Sequence, residues 1–385
     1  MKKKILNAAI IGCGKVGHTH ANAYKQLPQS NLIAVCDSSL QRAVDYGKEY
    51  GIKSYDDFDC MVHENDIDLI SVCTPHPLHK IYIKKAAQKE IHVITEKPLA
   101  PDLGGCDEAI DICLRHNVKL GVISQRRFYP PIIRMKEAIV EERIGKPIIA
   151  DLTVLGWRGE DYYLMDEWRG KWKSEGGGVL INQTIHQLDL LVWMMGPIEE
   201  LFGYWDNFNH PYIEVDDTAI AVMRFKSGAI GRVLVSNSQN PGLYGNIHIH
   251  GSNGASIGAK TEGGSPFISG VTTHIDAPIN DIWTIKGEEN EVEVWRSEDE
   301  LFASKINIMT YFHKKQIDDF LQAVQDDRDP GVTGIEARKS VELLTAIYRS
   351  QRDKKPIIFP LEPEYSRNDY DGRFTHKLFS QNNIL

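Results

Sequence analysis

The sequence predicts two domains: an α/β domain on a doubly wound parallel sheet, then an α+β domain on a largely antiparallel open sheet. Three observations carry this reading. At 385 residues the chain exceeds one typical core. Apolar runs of strand length alternate with helical patterns as far as residue 124, then give way to strands joined by tight turns. A glycine-rich turn lies between the first strand and the first helix, where such a sheet binds ligands.

Residues 5–11 form the first strand, followed by Gly12-Cys13-Gly14-Lys15-Val16-Gly17 and a helical pattern from Val16 to Leu27. The second strand, Leu32 to Cys36, ends in Asp37, 20 residues beyond Gly17. This strand–GxGxxG–helix–strand–acid order is the fingerprint of a dinucleotide-binding Rossmann domain. Gly12 permits the turn, Gly14 lets the backbone approach a pyrophosphate, and Gly17 lets helix and strand pack closely. Lys15 and Val16 open the helix, whose amides face the phosphates. Asp37 can accept both ribose hydroxyls and repels a 2′-phosphate, so NAD is expected over NADP.

The alternation continues through helices at Leu40–Tyr50 and Asp56–Glu64 and a strand at Ile67–Cys73. A helix at Ile81–Lys89, a strand at Ile91–Thr95, a helix at Asp102–His116 and a strand at Val118–Ser124 complete the domain. Gly12, Asp37, Thr74, Glu96 and Gln125 all fall just past strand ends, on one rim. Lys97, held extended before Pro98, is either a solvated rim charge or a group directed into the crevice.

Beyond Pro130-Pro131 comes a helical stretch, Ile132 to Arg143, and then strands at Ile148–Leu155, Glu200–Tyr204, Thr218–Phe225, Ala229–Ser236, Ile247–His250 and Glu291–Trp295. Gly258 to Gly270 reads as a long loop or lid. Helices at Met309–Gln325 and Gly334–Ser350 come next, then a polar arm from Glu362 to Leu385. The expected domains are 1–124 for the cofactor, 125–361 for substrate and association, and 362–385 as the arm.

Between Ser174 and Asp189 three glycines, Gly176 to Gly178, precede a helical pattern in which Asn182, His186 and Asp189 share a stripe. His186 is either a core histidine bonded to its stripe neighbours or a general base. Upstream, Trp157, Tyr162, Tyr163 and Trp172 are candidates to line a sugar pocket, because sugars stack C–H faces on aromatic rings. Ordinary core aromatics are the alternative. His248 and His250 share a strand face without a third ligand, so no metal is expected.

Gly12-x-Gly14-x-x-Gly17, Asp37, Thr74-Pro75-x-x-x-His79, Glu96-Lys97-Pro98, Gln125-x-Arg127-Phe128-x-Pro130 and the glycine-rich turn before His186 together resemble the glucose–fructose oxidoreductase/inositol dehydrogenase (Gfo/Idh/MocA) family. The likeness runs over most of the chain, with Gln125 where the family usually has Asn. It implies an NAD-dependent oxidoreductase acting on a secondary hydroxyl of a sugar, glycoside, nucleotide sugar or inositol-like polyol. Lys97, His186 and Asn182 would be catalytic, with His186 as general base. Pro75, His76, His79, Glu96, Lys97, Trp168 and Arg169 would join Gly12, Gly14, Lys15, Val16, Asp37, Thr74 and Gln125 at the cofactor. Arg127, the four aromatics, Asn182 and His186 would meet substrate. Many relatives carry Asp in place of Asn182; an amide cannot move a proton but can hold a hydroxyl, which favours a Lys97–His186 pair. The segment more closely resembles relatives that oxidise carbon 3 of nucleotide sugars or glycosides, which implies oxidation there. The C-terminal helices would pack back on the nucleotide domain, and the open sheet face would make a homo-oligomer, a dimer or tetramer. Two other members of the family set the rival readings: a glycosidase working by transient oxidation and elimination, and a non-catalytic NAD and ligand sensor.

A formal charge of −9 and a pI near 5.9 argue against nucleic-acid or anionic-membrane partners. Cys13, Cys36, Cys60, Cys73, Cys106 and Cys113 lack CxxC spacing and read as small buried hydrophobes in a reducing, cytoplasmic setting. Lys2 to Lys4 before an apolar run mimic a secretion signal, but Asn7 interrupts it and the glycine motif explains Cys13 better.

Overall fold

The structure, a computed structural model, describes residues 4–262 and 276–364. The chain divides into two compact units. The first is built from the segment up to Pro101, from Gly105–Gln125 and from Asn307–Arg338. The second is built from Asp102–Gly104, from Arg126–Ile306 and from the segment beginning at Lys339.

The first unit has the expected alternation: β1 (Leu6–Ile11), α1 (Lys15–Tyr24), β2 (Ser30–Cys36), α2 (Leu40–Tyr50), β3 (Lys53–Tyr55), α3 (Phe58–Glu64), β4 (Leu69–Val72), α4 (His79–Ala87), β5 (His92–Thr95), α5 (Leu103–Arg115) and β6 (Leu120–Val122). The six strands pair in parallel in the order β3-β2-β1-β4-β5-β6. β4 is buried at every residue, as a strand covered on both faces must be. β3 is too short to show in the periodicity, but its pairing with Ala34–Cys36 widens the sheet by one strand. Ser39 and Asp57 cap α2 and α3 by accepting from Arg42 N and Cys60 N.

The second unit starts with α6 (Pro130–Val140), β7 (Pro147–Leu155), α7 (Glu160–Leu164), α8 (Trp172–Glu175) and α9 (Ile185–Met195). It continues through β8 (Ile198–Asp206), β9 (Thr218–Phe225), β10 (Ile230–Ser236), β11 (Tyr244–Gly251), β12 (Ser256–Glu262), β13 (Ile279–Trp283) and α10 (Glu291–Ala303). The chain then forms α11 (Ile308–Gln325), α12 (Gly334–Asp353) and β14 (Ile357–Ile358). Eight strands pair in the order β13-β12-β11-β7-β10-β9-β8-β14, antiparallel except for β7 with β10. Burial alternates along β9, so one face is core while Ile220 and Val222 are exposed on the other, with Tyr204 and Ile230 exposed on neighbouring strands.

Three expectations need correction. Glu291–Trp295 is the start of α10, not a strand: Val292 and Val294 mimic alternation, but Glu291 and Glu293 suit a helix first turn, and Trp295 packs edge-on to Trp283 at 5.0 Å. The start of the proposed 258–270 loop, Gly258 to Glu262, belongs to β12; the rest lies outside the described residues, as does most of the arm. Gly258 is a close-approach glycine, since a Cβ there would come within 2.3 Å of the His248 ring across the strand pair. Third, Cys60 is exposed, unlike the other five cysteines, and none of the six forms a disulfide. Among the described residues no helix is long and apolar enough to cross a membrane.

α11 belongs to the first unit, where Ile317, Phe320 and Leu321 join Ala21, Tyr24, Leu69 and Ile94 in one core cluster. Phe320→Ala should therefore destabilise the nucleotide-binding unit by about 3 kcal/mol or more, read from urea unfolding. An unchanged midpoint would show that α11 is peripheral to that core.

Candidate active site

In the first unit the glycine motif has the geometry its spacing implies. Gly12 has a positive φ of 104°, and a Cβ there would lie 2.7 Å from Cys73 O. A Cβ on Gly17 would lie 2.4 Å from Gly12 O, whereas one on Gly14 meets nothing within 4 Å. The turn is thus closed underneath and open above Gly14, at the start of a helix that no side chain caps. Lys15 and Val16 supply the first amides of that helix, the arrangement that receives a pyrophosphate.

Asp37 sits at the end of β2, as expected. Its Oδ2 accepts from Cys13 N at 2.9 Å, and its Oδ1 accepts from Ser39 N at 2.9 Å and from Arg42 Nη2 at 2.7 Å. Burial pushes the carboxyl up, but these amides and the guanidinium outweigh it and hold the pKa below the usual value. Arg42 carries no signal in the sequence; it lies one helical turn past the Ser39 cap, and its side chain is 63% exposed. Along the same rim, Thr74 Oγ1 and Gln125 Oε1 are buried without a protein partner. Buried polar atoms left so are costly unless something else bonds them, and a nicotinamide or ribose edge would.

Glu96 and His79, expected at the cofactor, are each held by protein partners. Glu96 Oε1 accepts from His20 Nε2 at 3.1 Å and from His313 Nε2 at 3.2 Å, and Oε2 accepts from Lys97 N at 3.2 Å. Burial would raise this carboxyl, but the two histidines hold it well below the usual carboxylate range. His20 Nδ1 meets Ser71 Oγ and His313 Nδ1 donates to Met309 O, so each ring is fixed at both ends. The three ligand atoms also lie within 4.8 Å of one another, a spacing open to a metal, but these hydrogen bonds account for them without one. His79 is fully buried between the carbonyls of Pro98 at 2.7 Å and Thr74 at 2.8 Å. Burial lowers its pKa despite those two acceptors, so it braces the Thr74–Pro75 turn and packs edge-on to His76 at 5.9 Å. His20 shows a faint sequence signal, three residues past Gly17; His313, far along the chain, shows none.

In the second unit the last of the three glycines, Gly178, is pressed onto Asp216. A Cβ on Gly178 would fall 1.9 Å from Asp216 O, and Asp216 Oδ1 and Oδ2 accept from Gly178 N at 2.7 Å and Leu180 N at 3.0 Å. The segment beyond is not one continuous helix. Val179–Gln183 forms a π-helical turn, Thr184 Oγ1 bonds back to Val179 O, and α9 starts only at Ile185. Such turns place polar groups out of the regular helical register. The stripe of Asn182, His186 and Asp189 therefore breaks up. Asp189 forms a buried bidentate ion pair with Arg127 at 2.8 and 2.6 Å, and Arg127 also lies over Trp193. Arg127, expected at the substrate, is tied to Asp189 of α9. Asn182 and His186 are both buried, in the π turn and the first turn of α9.

The aromatics divide as well. Tyr162 and Tyr163 are buried with Ile213 and Val215, and Trp172 packs against them and edge-on to Trp205 and Tyr348. For these three the core reading prevails, while Trp157 lies 5.5 Å from the His210 ring. One polar atom of the cluster faces the polar turn: the Tyr162 hydroxyl accepts from Asn182 Nδ2 at 3.1 Å and Gln183 Nε2 at 3.0 Å. Arg169 donates to the same hydroxyl and to Asp166, its guanidinium lying over Tyr162 and Trp168.

Residues 6–124 match the family model for the NAD-binding Rossmann fold of the Gfo/Idh/MocA oxidoreductases, and residues 136–359 match the model for their C-terminal alpha/beta domain. The chain belongs to the Gfo/Idh/MocA family. It is accordingly an NAD-dependent oxidoreductase with an NAD-binding Rossmann domain. Among its relatives in the Gfo/Idh/MocA family, the scyllo-inositol 2-dehydrogenase (NAD(+)) of Bacillus subtilis is 26% identical over 372 residues, spanning 94% of this chain and 98% of that one. The myo-inositol 2-dehydrogenase of Thermotoga maritima is 30% identical over 65% of this chain and 74% of its own. The WlbA dehydrogenase of Bordetella pertussis, solved with NADH and UDP-GlcNAcA, superposes with a TM-score of 0.83 at 26% identity, covering 94% of this chain and all of that one.

Asp37→Ser removes the carboxylate expected at the ribose and leaves Arg42 to meet a 2′-phosphate. The Kd for NADH should rise about tenfold or more while the preference over NADPH narrows, measured by nucleotide fluorescence. An unaltered preference would remove Asp37 from cofactor selection.

Proposed function

We propose that this protein oxidises a secondary hydroxyl of a sugar, nucleotide sugar or inositol-like polyol, with His186 as general base and Lys97 as the group that stabilises the developing alkoxide. The observation that carries the reading is the seating of Lys97: it lies directly after β5, and its backbone amide is pinned by a buried carboxylate that two histidines hold ionised. A cation carried on a firmly held backbone is worth most where negative charge appears in the transition state.

NAD, when bound, supplies the hydride acceptor for the carbinol carbon. The hydroxyl proton passes to His186, so alcohol and NAD become ketone, NADH and one proton. Asn182 holds a substrate hydroxyl through its side-chain amide without transferring a proton. Similarity over nearly the whole chain to an inositol 2-dehydrogenase and to a dehydrogenase solved with a nucleotide sugar supports the substrate class. The exposed apolar residues Tyr204, Ile220, Val222 and Ile230 support a homo-oligomer formed through the open sheet face.

Lys97→Met and His186→Ala should each slow turnover by about 10² to 10⁴ while NADH still binds. The assay tracks NADH formation and sugar release over a panel of myo-inositol, scyllo-inositol, UDP-GlcNAcA and simple glycosides. Release without net NADH would replace the dehydrogenase by an eliminating glycosidase. Near-normal turnover in either variant would overturn the assignment of that residue.

A further inference from the structure

Glu175 closes the short helix α8 just before the three glycines, and its side chain is only 1% exposed where a lone carboxylate would be costly. Gly176, at a φ of 91°, turns the chain sharply after it and sends the backbone toward the π turn. The carboxyl therefore ends up against the polar residues of that turn. Its Oε2 accepts from Gly170 N at 2.5 Å, and its Oε1 accepts from Asn182 Nδ2.

Asn182 Nδ2 also donates to the Tyr162 hydroxyl at 3.1 Å. Both contacts lie at the nitrogen end of the amide, which fixes the direction of its oxygen end. The two ends are not equivalent, because the nitrogen only donates and the oxygen only accepts. A carboxylate only accepts, so it draws the amide nitrogen toward itself. A carboxylic acid has a proton to donate, and the amide can then turn its oxygen to receive it.

We propose that Glu175 is a positioning residue, which sets the direction of the Asn182 side-chain amide and thereby whether Asn182 offers the substrate hydroxyl an acceptor or a donor. This rests on the proposed role of Asn182 in holding substrate.

The surroundings make the setting responsive near neutrality. Burial pushes the Glu175 carboxyl up to about 7, against the pull of Gly170 N, the Arg169 guanidinium and the Asn182 amide. The Asp216 carboxylate raises it further. The phenols of Tyr162 and Tyr163 also face it, and burial keeps them protonated. Asp216 is itself held by Gly178 N, Leu180 N and the Tyr348 hydroxyl. Above the midpoint Glu175 is a carboxylate and the amide nitrogen faces it; below, the constraint is released.

The test needs no substrate for its first arm. In protein labelled with ¹⁵N-asparagine, the Asn182 side-chain pair is identified by its loss in N182A. It should move with pH about a midpoint near 7 in the native protein and stay still between about pH 5.5 and about pH 8.5 in E175Q. A pair that does not titrate, or one that titrates equally in E175Q, overturns the proposal. The second arm compares pH–rate profiles on scyllo-inositol and UDP-GlcNAcA. E175Q should lose the limb near pH 7 and raise KM roughly tenfold, with kcat changed less. If H186A and K97M keep their rates, the underlying functional reading fails, while the first arm still judges the coupling of Glu175 to Asn182. If those variants lose activity and E175Q keeps the native profile and KM, only the positioning role falls.

Discussion

Much of the first unit depends on one buried carboxylate. Taking Glu96 out of water is unfavourable unless its oxygens are hydrogen-bonded, and His20 and His313 reach it from α1 and α11. Its other oxygen takes the Lys97 amide at the end of β5. One ionised group thus ties the helix that opens over the phosphate turn, a helix from late in the chain, and the backbone of the candidate catalytic lysine. Loss of either histidine would leave the carboxylate under-compensated and free the segment that carries Lys97.

The second unit solves a similar problem differently. Asp216 is a buried carboxyl held by two backbone amides and the Tyr348 hydroxyl, and the glycines allow the loop to approach it so closely. The amides it receives belong to the residues immediately before Asn182, so the loop is anchored next to the residues proposed to meet substrate. The anchor is built from backbone amides, where that of the first unit is built from imidazoles.

Features with a local pattern are legible in the sequence. The glycine motif, Asp37 and the strand ends are of this kind, because parallel strands are continuous apolar runs and the fingerprint has fixed spacing. Glu291–Trp295 misleads because two valines alternating with acids satisfy the strand period for five residues, fewer than a helical pattern needs to declare itself. The break at Thr184 is invisible to periodicity because the residues on either side are equally apolar and buried. Roles fixed by distant partners lie beyond sequence reading: Arg127 is expected at substrate but pairs with Asp189, and Glu96 is expected at the cofactor but lies between histidines far away in the chain. Glu175 reads as one charged residue before a turn, and only its burial against Asn182 distinguishes it.

The place of α11 has a consequence for how the protein is made. The nucleotide-binding unit cannot complete its core while only its own early strands and helices have been synthesised, because Ile317, Phe320 and Leu321 arrive after nearly all of the second sheet. During translation the face of α1 that will meet α11 stays uncovered, and Glu96 lacks one of its two imidazoles. The first part of the chain to emerge therefore waits for a helix made after β13 before its core is closed.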